Sequence, residues 1–195
     1  MKKVSIGTIL SAVGVLLGVA AMICLAGAGL YYKDSSTSDL LVTSVTTTAV
    51  SSAGLFGFVF GGHDFVNVTT VGTADPGTIT VHYDGGMSYF ALIAFILVVL
   101  AIVVAVVSFF AKKQSKMLAL VAGVLFVLGG ICMFMVKVAG TDFTLTVESI
   151  TTKTAWADFF KDSKYGLGVG TILYAIFAIL GGLSIGASCF IGKKK

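Results

Sequence analysis

The sequence predicts an α-helical membrane protein: a four-transmembrane-helix bundle with a small extracytoplasmic antiparallel β-sheet built from both outer loops. Three observations predict it. The 195 residues are 57% hydrophobic and 11% charged with a mean hydropathy of +1.04, whereas a soluble domain carries about 25% charged residues. Four apolar runs, residues 4–30, 89–111, 117–136 and 166–191, contain no charged residue. Each exceeds the roughly 18 residues that cross a bilayer, and only helices or closed barrels satisfy backbone groups in lipid. The segments between them, 31–88 and 137–165, are rich in Val, Thr and aromatic residues.

The first run begins with Lys2 and Lys3 and contains "AGA" at Ala26–Ala28, which resembles a signal-peptidase site. Its apolar length exceeds the 7–15 residues of a signal core. "AMIC" at Ala21–Cys24 also sets bulky Ile23 where a lipobox needs a small residue. The expectation is an uncleaved anchor; cleavage would leave three helices in the same orientation.

Charge then orients the spans. Lys2, Lys3, Lys112, Lys113, Lys116, Lys193, Lys194 and Lys195 flank them on one side with no acid among them. The other side holds every acid: Asp34, Asp39, Asp64, Asp75, Asp84, Asp142, Glu148, Asp158 and Asp162. Lysine-rich short loops stay cytoplasmic, so both termini are expected inside the plasma membrane and both long loops outside. The net charge of +4 is thereby a topology signal and no pointer to nucleic acid. All basic residues are lysine, a composition expected of an AT-rich bacterial genome. Cys24, Cys132 and Cys189 fall inside the apolar runs, leaving the outer loops without disulfides and the thiols as small packing groups.

Four strands are expected in the first loop: Leu40–Val50, Gly54–Phe60, Phe65–Val71 and Thr78–Tyr83, each dense in β-formers. "DPG" at Asp75–Gly77 supplies a turn and "DGG" at Asp84–Gly86 ends the last strand. "FTLTVESI" at Phe143–Ile150 alternates in the second loop, giving five strands in all. Beyond it, Trp156, Phe159 and Phe160 fall at i, i+3 and i+4. They suit either a short helix lying in the headgroup layer or an aromatic belt, as Tyr31, Tyr32 and Tyr89 suit the ends of their own helices.

Four spans, a long β-rich first loop and a shorter second loop with one strand resemble the claudin and peripheral-myelin-protein type of tetraspan. That family carries a Trp, then Gly-Leu-Trp, then two disulfide-bonded cysteines in its first loop. Here "GLF" at Gly54–Phe56 matches the middle of that pattern with Phe56 in the Trp position, while the upstream Trp and both cysteines are missing. The resemblance implies the architecture; the family's paracellular barrier function is not carried over.

Lipid provides no hydrophobic drive between helices, so close contact depends on small residues. Gly7, Ser11, Gly14 and Gly18 form such a seam on the first helix, and Ala178, Gly182 and Gly186 on the fourth, so these two are expected to be neighbours. The second helix has no glycine and is expected to face lipid. Hydroxyls within the spans, Ser11, Ser108, Thr171 and Ser184, are expected to bond their own helix backbones.

No ionisable residue interrupts a span, and no catalytic carboxylate pair, phosphate-binding loop, nucleophile elbow or CxxC occurs. No enzyme and no cofactor are expected, and a transporter of charged solutes is disfavoured. His63, Asp64, His82 and Asp84 are the only candidates for a metal; their spacing is not diagnostic, and solvated loop histidines are the simpler reading. "NVT" at Asn67–Thr69 is a glycosylation acceptor only in a eukaryotic secretory host. The expected role is structural: an outer β-domain displayed for lateral assembly or for binding a membrane-protein partner. A small channel or uncharged-solute permease, and an accessory or immunity-type subunit, are the alternatives.

Overall fold

The computed structural model describes residues 5–40, 43–71, 77–111, 115–147, 150–161 and 165–191. They form two compact units, one of helices (within 1–24, 90–135 and 172–195) and one built on a β-sheet (within 25–89 and 136–171).

The helical unit contains α1 (Ile6–Ile23), α3 (Tyr89–Phe110), α4 (Ser115–Phe134) and α6 (Val169–Phe190). All four are long and apolar enough to cross a membrane; at 1.5 Å per residue they run about 27–33 Å. The Ser5 hydroxyl caps α1 by accepting a hydrogen bond from the Thr8 amide at 3.2 Å. The first helix stops well short of residue 30: a 3-10 turn follows at Cys24–Ala26, and Ala28 begins a strand. Apolarity alone cannot separate a span from a strand. Leu30, 1% exposed, belongs to the core of the β-unit, and a Cβ on Gly29 would come within 2.8 Å of the Leu55 Cα.

Small residues set the bundle's contacts. A Cβ on Gly14 would lie 2.7 Å from the Gly181 carbonyl of α6, one on Gly18 would lie 2.5 Å from the Phe126 ring of α4, and one on Gly123 would lie 2.9 Å from the Gly182 carbonyl. The expected neighbourhood of α1 and α6 is present, fastened by hydroxyls as well. Ser11 donates to Ser188 at 2.8 Å, and Ser184 donates to the Leu10 carbonyl at 2.8 Å. Only Ser108 bonds its own helix as expected, donating to the Ala105 carbonyl at 2.6 Å. Thr171, which belongs with Gly29 to the β-unit, instead donates to the Gly29 carbonyl. The second span is no bystander, because alanine does there what glycine does elsewhere. Ala91, Ala94, Val98, Ala101, Ala105 and Ser108, spaced three and four apart, are buried along α3. Gly129 of α4 meets this stripe at Val98, 2.8 Å from where its Cβ would be. Tyr174 of α6 donates to the Ala94 carbonyl at 3.2 Å.

Among its described residues the β-unit has seven strands rather than five. They are β1 (Ala28–Leu40), β2 (Thr43–Gly54), β3 (His63–Val71), β4 (Gly77–Gly85), β5 (Phe143–Val147), β6 (Ile150–Thr154) and β7 (Tyr165–Leu167). All pairs are antiparallel, in the order β6-β5-β4-β3-β2-β1-β7. The meander β1–β4 from the first loop is thus bracketed on both sides by strands of the second. "FTLTVESI" divides between β5 and the start of β6. The Asp75–Gly77 turn falls largely outside the described residues, whereas β4 does end at the Asp84–Gly86 glycines. Gly86 has φ +72° and its Cα abuts the Phe143 ring, so both backbone and space demand glycine there.

Gly54–Phe60 is not a strand. Leu55–Phe60 is a six-residue helix, α2, with Leu55, Phe58 and Val59 buried and Phe56 and Phe60 exposed. That burial is the i, i+3, i+4 spacing of a helix. A second short helix, α5 (Trp156–Phe159), follows β6.

Candidate functional site

No single constellation of side chains stands out as a reaction centre, but three features have the geometry to act. In the helical unit a cavity of about 800 Å³ opens where the start of α1, the end of α3, the start of α4 and the end of α6 come together. Hydroxyls line it: Ser5, Thr8, Ser11, Ser108, Ser115 and Ser188, with Lys116 and Cys189 beside them and no carboxylate. Several of these donors are already engaged. Ser11 donates to Ser188, Ser188 donates to the Ile185 carbonyl at 2.6 Å, and Ser108 donates to its own helix. The wall therefore offers oxygen lone pairs more than free donors. Beyond Ser11 the bundle is tightly packed: Gly14 and Gly18 abut neighbouring helices, and Ala21, Ala101 and Phe126 are fully buried.

In the β-unit, an aromatic cluster centres on Trp156. Its ring stacks on Phe143 (centroids 5.1 Å apart, 8° between planes) and meets Phe58 and Phe160 edge-on at 6.2 and 4.9 Å. The indole Nε1 donates to the Lys137 carbonyl at 2.9 Å, and the Trp156 amide donates to the Asp142 carboxylate at 3.2 Å. Trp156 is 3% exposed. It is covered by protein, so the expectation of a membrane-interface anchor is corrected here. The β-segment ahead of it supplies Phe143 as a partner, and a large ring is stabilised more by that cluster than by a headgroup layer. Phe160 joins the same cluster, and Phe159 lies within α5. Tyr31 and Tyr32 lie in β1 rather than at a helix end, paired with Ser52 and Ser51 of β2. Tyr89 does begin α3, and is exposed. Lys137 lies just past α4, where its ammonium donates to the Tyr165 carbonyl at 2.6 Å.

The third feature is the sheet's margins. β7 pairs only with Leu30, Tyr31 and Tyr32 of the thirteen-residue β1. Among the described residues, nothing pairs with the outer side of Lys33–Leu40. The opposite margin, β6, is five residues long with Thr152 and Lys153 exposed. A tilted aromatic pair, the exposed Phe56 and Phe60 with centroids 4.7 Å apart and 46° between planes, belongs to α2.

The other expected site residues distribute as follows. Gly7, Ser11, Gly14 and Gly18 do form the α1 seam, and Gly7 approaches the Ser188 carbonyl of α6. On α6, Gly181 rather than Gly182 meets α1; Gly182 faces Gly123 of α4, Gly186 adjoins the same Gly123, and Ala178 is fully buried. The register sets Asp64 opposite His82 and His63 opposite Tyr83. Lys116 is in α4; Lys2, Lys3, Lys112, Lys113, Lys193, Lys194 and Lys195 lie outside the described residues. The sequence matches no known protein-family model and no curated protein.

Proposed function

We propose that this is a multi-pass protein of the plasma membrane, with both termini cytoplasmic, that works by contact. On this reading the four helices are a pedestal and the β-sheet is displayed outside for lateral assembly or for holding a membrane-protein partner. One observation carries the proposal: the spans contain no ionisable residue, whereas the β-unit holds the exposed Phe56–Phe60 pair and a strand margin at Ser36–Leu40 to which nothing pairs among the described residues. Functional polar groups concentrate on segments held by a rigid scaffold, and an open strand margin invites strand addition. The claudin-like plan of four spans and a sheet shared between two loops is compatible with it. An accessory subunit that masks another membrane protein is the same mechanism with a different partner.

The hydroxyl-lined cavity supports a second reading, a small channel or permease for uncharged solutes. The packed bundle beyond Ser11 weighs against a path through one chain. Reconstituted liposomes and a crosslinking pulldown separate the two readings. The contact function predicts no solute flux, and recovery of a partner that is lost in Phe56→Ser/Phe60→Ser. Flux abolished by Ser11→Val and Ser188→Val, with no partner recovered, would establish the channel instead. The exposed phenylalanines are the informative probes, since Phe143 and Trp156 are structural.

Threading has its own test. In a cysteine-free background, Ser36→Cys and Ser163→Cys are expected to react with an impermeant thiol reagent on intact cells, and Ser115→Cys is not. Labelling at Ser115→Cys alone would invert the topology.

A further inference from the structure

Helices α4 and α6 meet on glycine, and the meeting leaves a groove beside it. A Cβ on Gly123 would lie 2.9 Å from the Gly182 carbonyl, and one on Gly182 would lie 2.6 Å from the Gly123 carbonyl. One turn on, Gly186 has nothing within 4 Å of where its Cβ would be, so the space next to it is unfilled. The result is an apolar cavity of about 470 Å³, with Leu120, Val124 and Leu128 of α4 on one wall and Leu183 and Phe190 of α6 on the other. These five side chains are between 45% and 82% exposed, so the groove faces out of the bundle. It follows α4 for eight residues, about 12 Å. It stops where Ile179 fills the seam, 2.6 Å from where a Gly130 Cβ would lie.

The other end of the groove carries a charge. Lys116 precedes Leu120, Val124 and Leu128 by four, eight and twelve residues, the i, i+4 spacing of one helix face. It is exposed. Cys189 Sγ donates to the Lys116 carbonyl at 3.4 Å, which sets the first turn of α4 against the last turn of α6, the two walls of the groove. The helical unit contains no Asp or Glu, so this ammonium has no side-chain carboxylate to pair with there. We propose that the groove holds one acyl chain of an anionic phospholipid whose phosphate rests on Lys116. A hydrocarbon core is roughly 30 Å thick, so a groove of about 12 Å lies within one leaflet, at the depth of a single lipid's chain. A spanning helix of a second copy fits it poorly, because Ile179 closes the seam beyond Leu128. A lysine at a helix end keeps its stem in apolar surroundings and its ammonium at headgroup depth, where it attracts anionic lipid. The chain in turn supplies the dispersion contacts that the glycines leave unmade.

This inference rests on the membrane reading above and gives it a ligand; on the proposed threading the lipid belongs to the cytoplasmic leaflet. The test uses the full-length chain in mild detergent with phosphatidylglycerol or phosphatidylcholine of the same acyl chains, and native mass spectrometry counts the lipid retained. The parent is expected to keep one phosphatidylglycerol per chain and about fivefold less phosphatidylcholine, the ratio that one lysine at a charged surface provides. Lys116→Gln is expected to remove that preference and Lys116→Arg to keep it. Gly186→Leu and Val124→Phe fill the groove from opposite walls, and both are expected to lose either lipid while melting with the parent. Phosphatidylglycerol retained by both filled variants would overturn the groove as the site. A preference that survives Lys116→Gln would overturn the phosphate contact and the proposal with it. Dimers that Gly186→Leu breaks up, with no lipid retained, would overturn it in favour of a second copy. Alkaline carbonate extraction of membranes tests the underlying reading separately. A parent chain released by carbonate overturns the membrane reading, whereas one that stays inserted yet retains no lipid overturns this proposal alone.

Discussion

Trp156→Ala is expected to destabilise the β-unit by about 3–5 kcal/mol, the usual cost of truncating a large buried aromatic. The ring is enclosed by Phe143, Phe58 and Phe160 and sealed beneath Gly140, where an added Cβ would lie 2.5 Å from the indole. Truncation opens a cavity and orphans the Lys137 carbonyl that the indole Nε1 now satisfies. Trp156→Phe should recover much of the loss, retaining a stack on Phe143 while leaving that carbonyl unpaired, at about 1–3 kcal/mol. Thermal unfolding followed by far-ultraviolet circular dichroism in detergent measures both. Lys153→Ala on the exposed margin β6 is the comparison and should stay within about 0.5 kcal/mol. A Trp156→Ala protein that melts with the parent would remove the aromatic cluster as the unit's core.

Gly14→Leu is expected to be the most damaging change in the helical unit. Its Cβ alone would sit 2.7 Å from the Gly181 carbonyl and would collide with the Ile185 side chain. The Gly181 contact is backbone and cannot rotate away, so α1 and α6 must separate. Gly18→Leu meets a side chain instead, with its Cβ 2.5 Å from the Phe126 ring, but that ring is fully buried and has nowhere to turn. Overpacking costs typically about 1–3 kcal/mol, and more where the backbone must shift. Val103→Leu on α3, half-exposed at 53%, should change detergent melting temperature little. Equal effects at the three positions would dismiss small-residue packing as the basis of the bundle.

Much of this architecture could be read from hydropathy, because lipid admits few backbone solutions. The spans at 89–111, 117–136 and 166–191 found their helices within three residues. The α1 seam was legible too, since glycine at helical spacing has few other uses in an apolar run. What escaped is informative. Residues 24–30 are as apolar as a span yet serve the sheet, a distinction that depends on tertiary partners. β1 beyond Tyr32 has the composition of a loop, and its strand character comes from its register with β2, which no local pattern announces. "LFGFVF" reads as a strand by composition, although Leu55, Phe58 and Val59 hold the helical spacing that α2 adopts. The α3 stripe was missed because alanine, unlike glycine, is unremarkable in a span.

The bracketing of the meander by later strands has a consequence for biogenesis. Tyr32 finds its β7 partner, Tyr165, only after the second and third spans have been made. At about 5–20 residues per second, the roughly 130 intervening residues take on the order of 7–26 seconds to synthesise. During that interval β1–β4 can form their hairpins, because each strand follows its neighbour, while both flanks wait for chain that does not yet exist. Closure across so long a separation is slow once the chain is complete. A nascent chain therefore passes through a period in which neighbouring copies on one polysome present the same unfinished flank to each other. A chaperone that shields extended segments would act in that window, and its absence would lower the yield of folded protein without altering the stability of the molecules that mature.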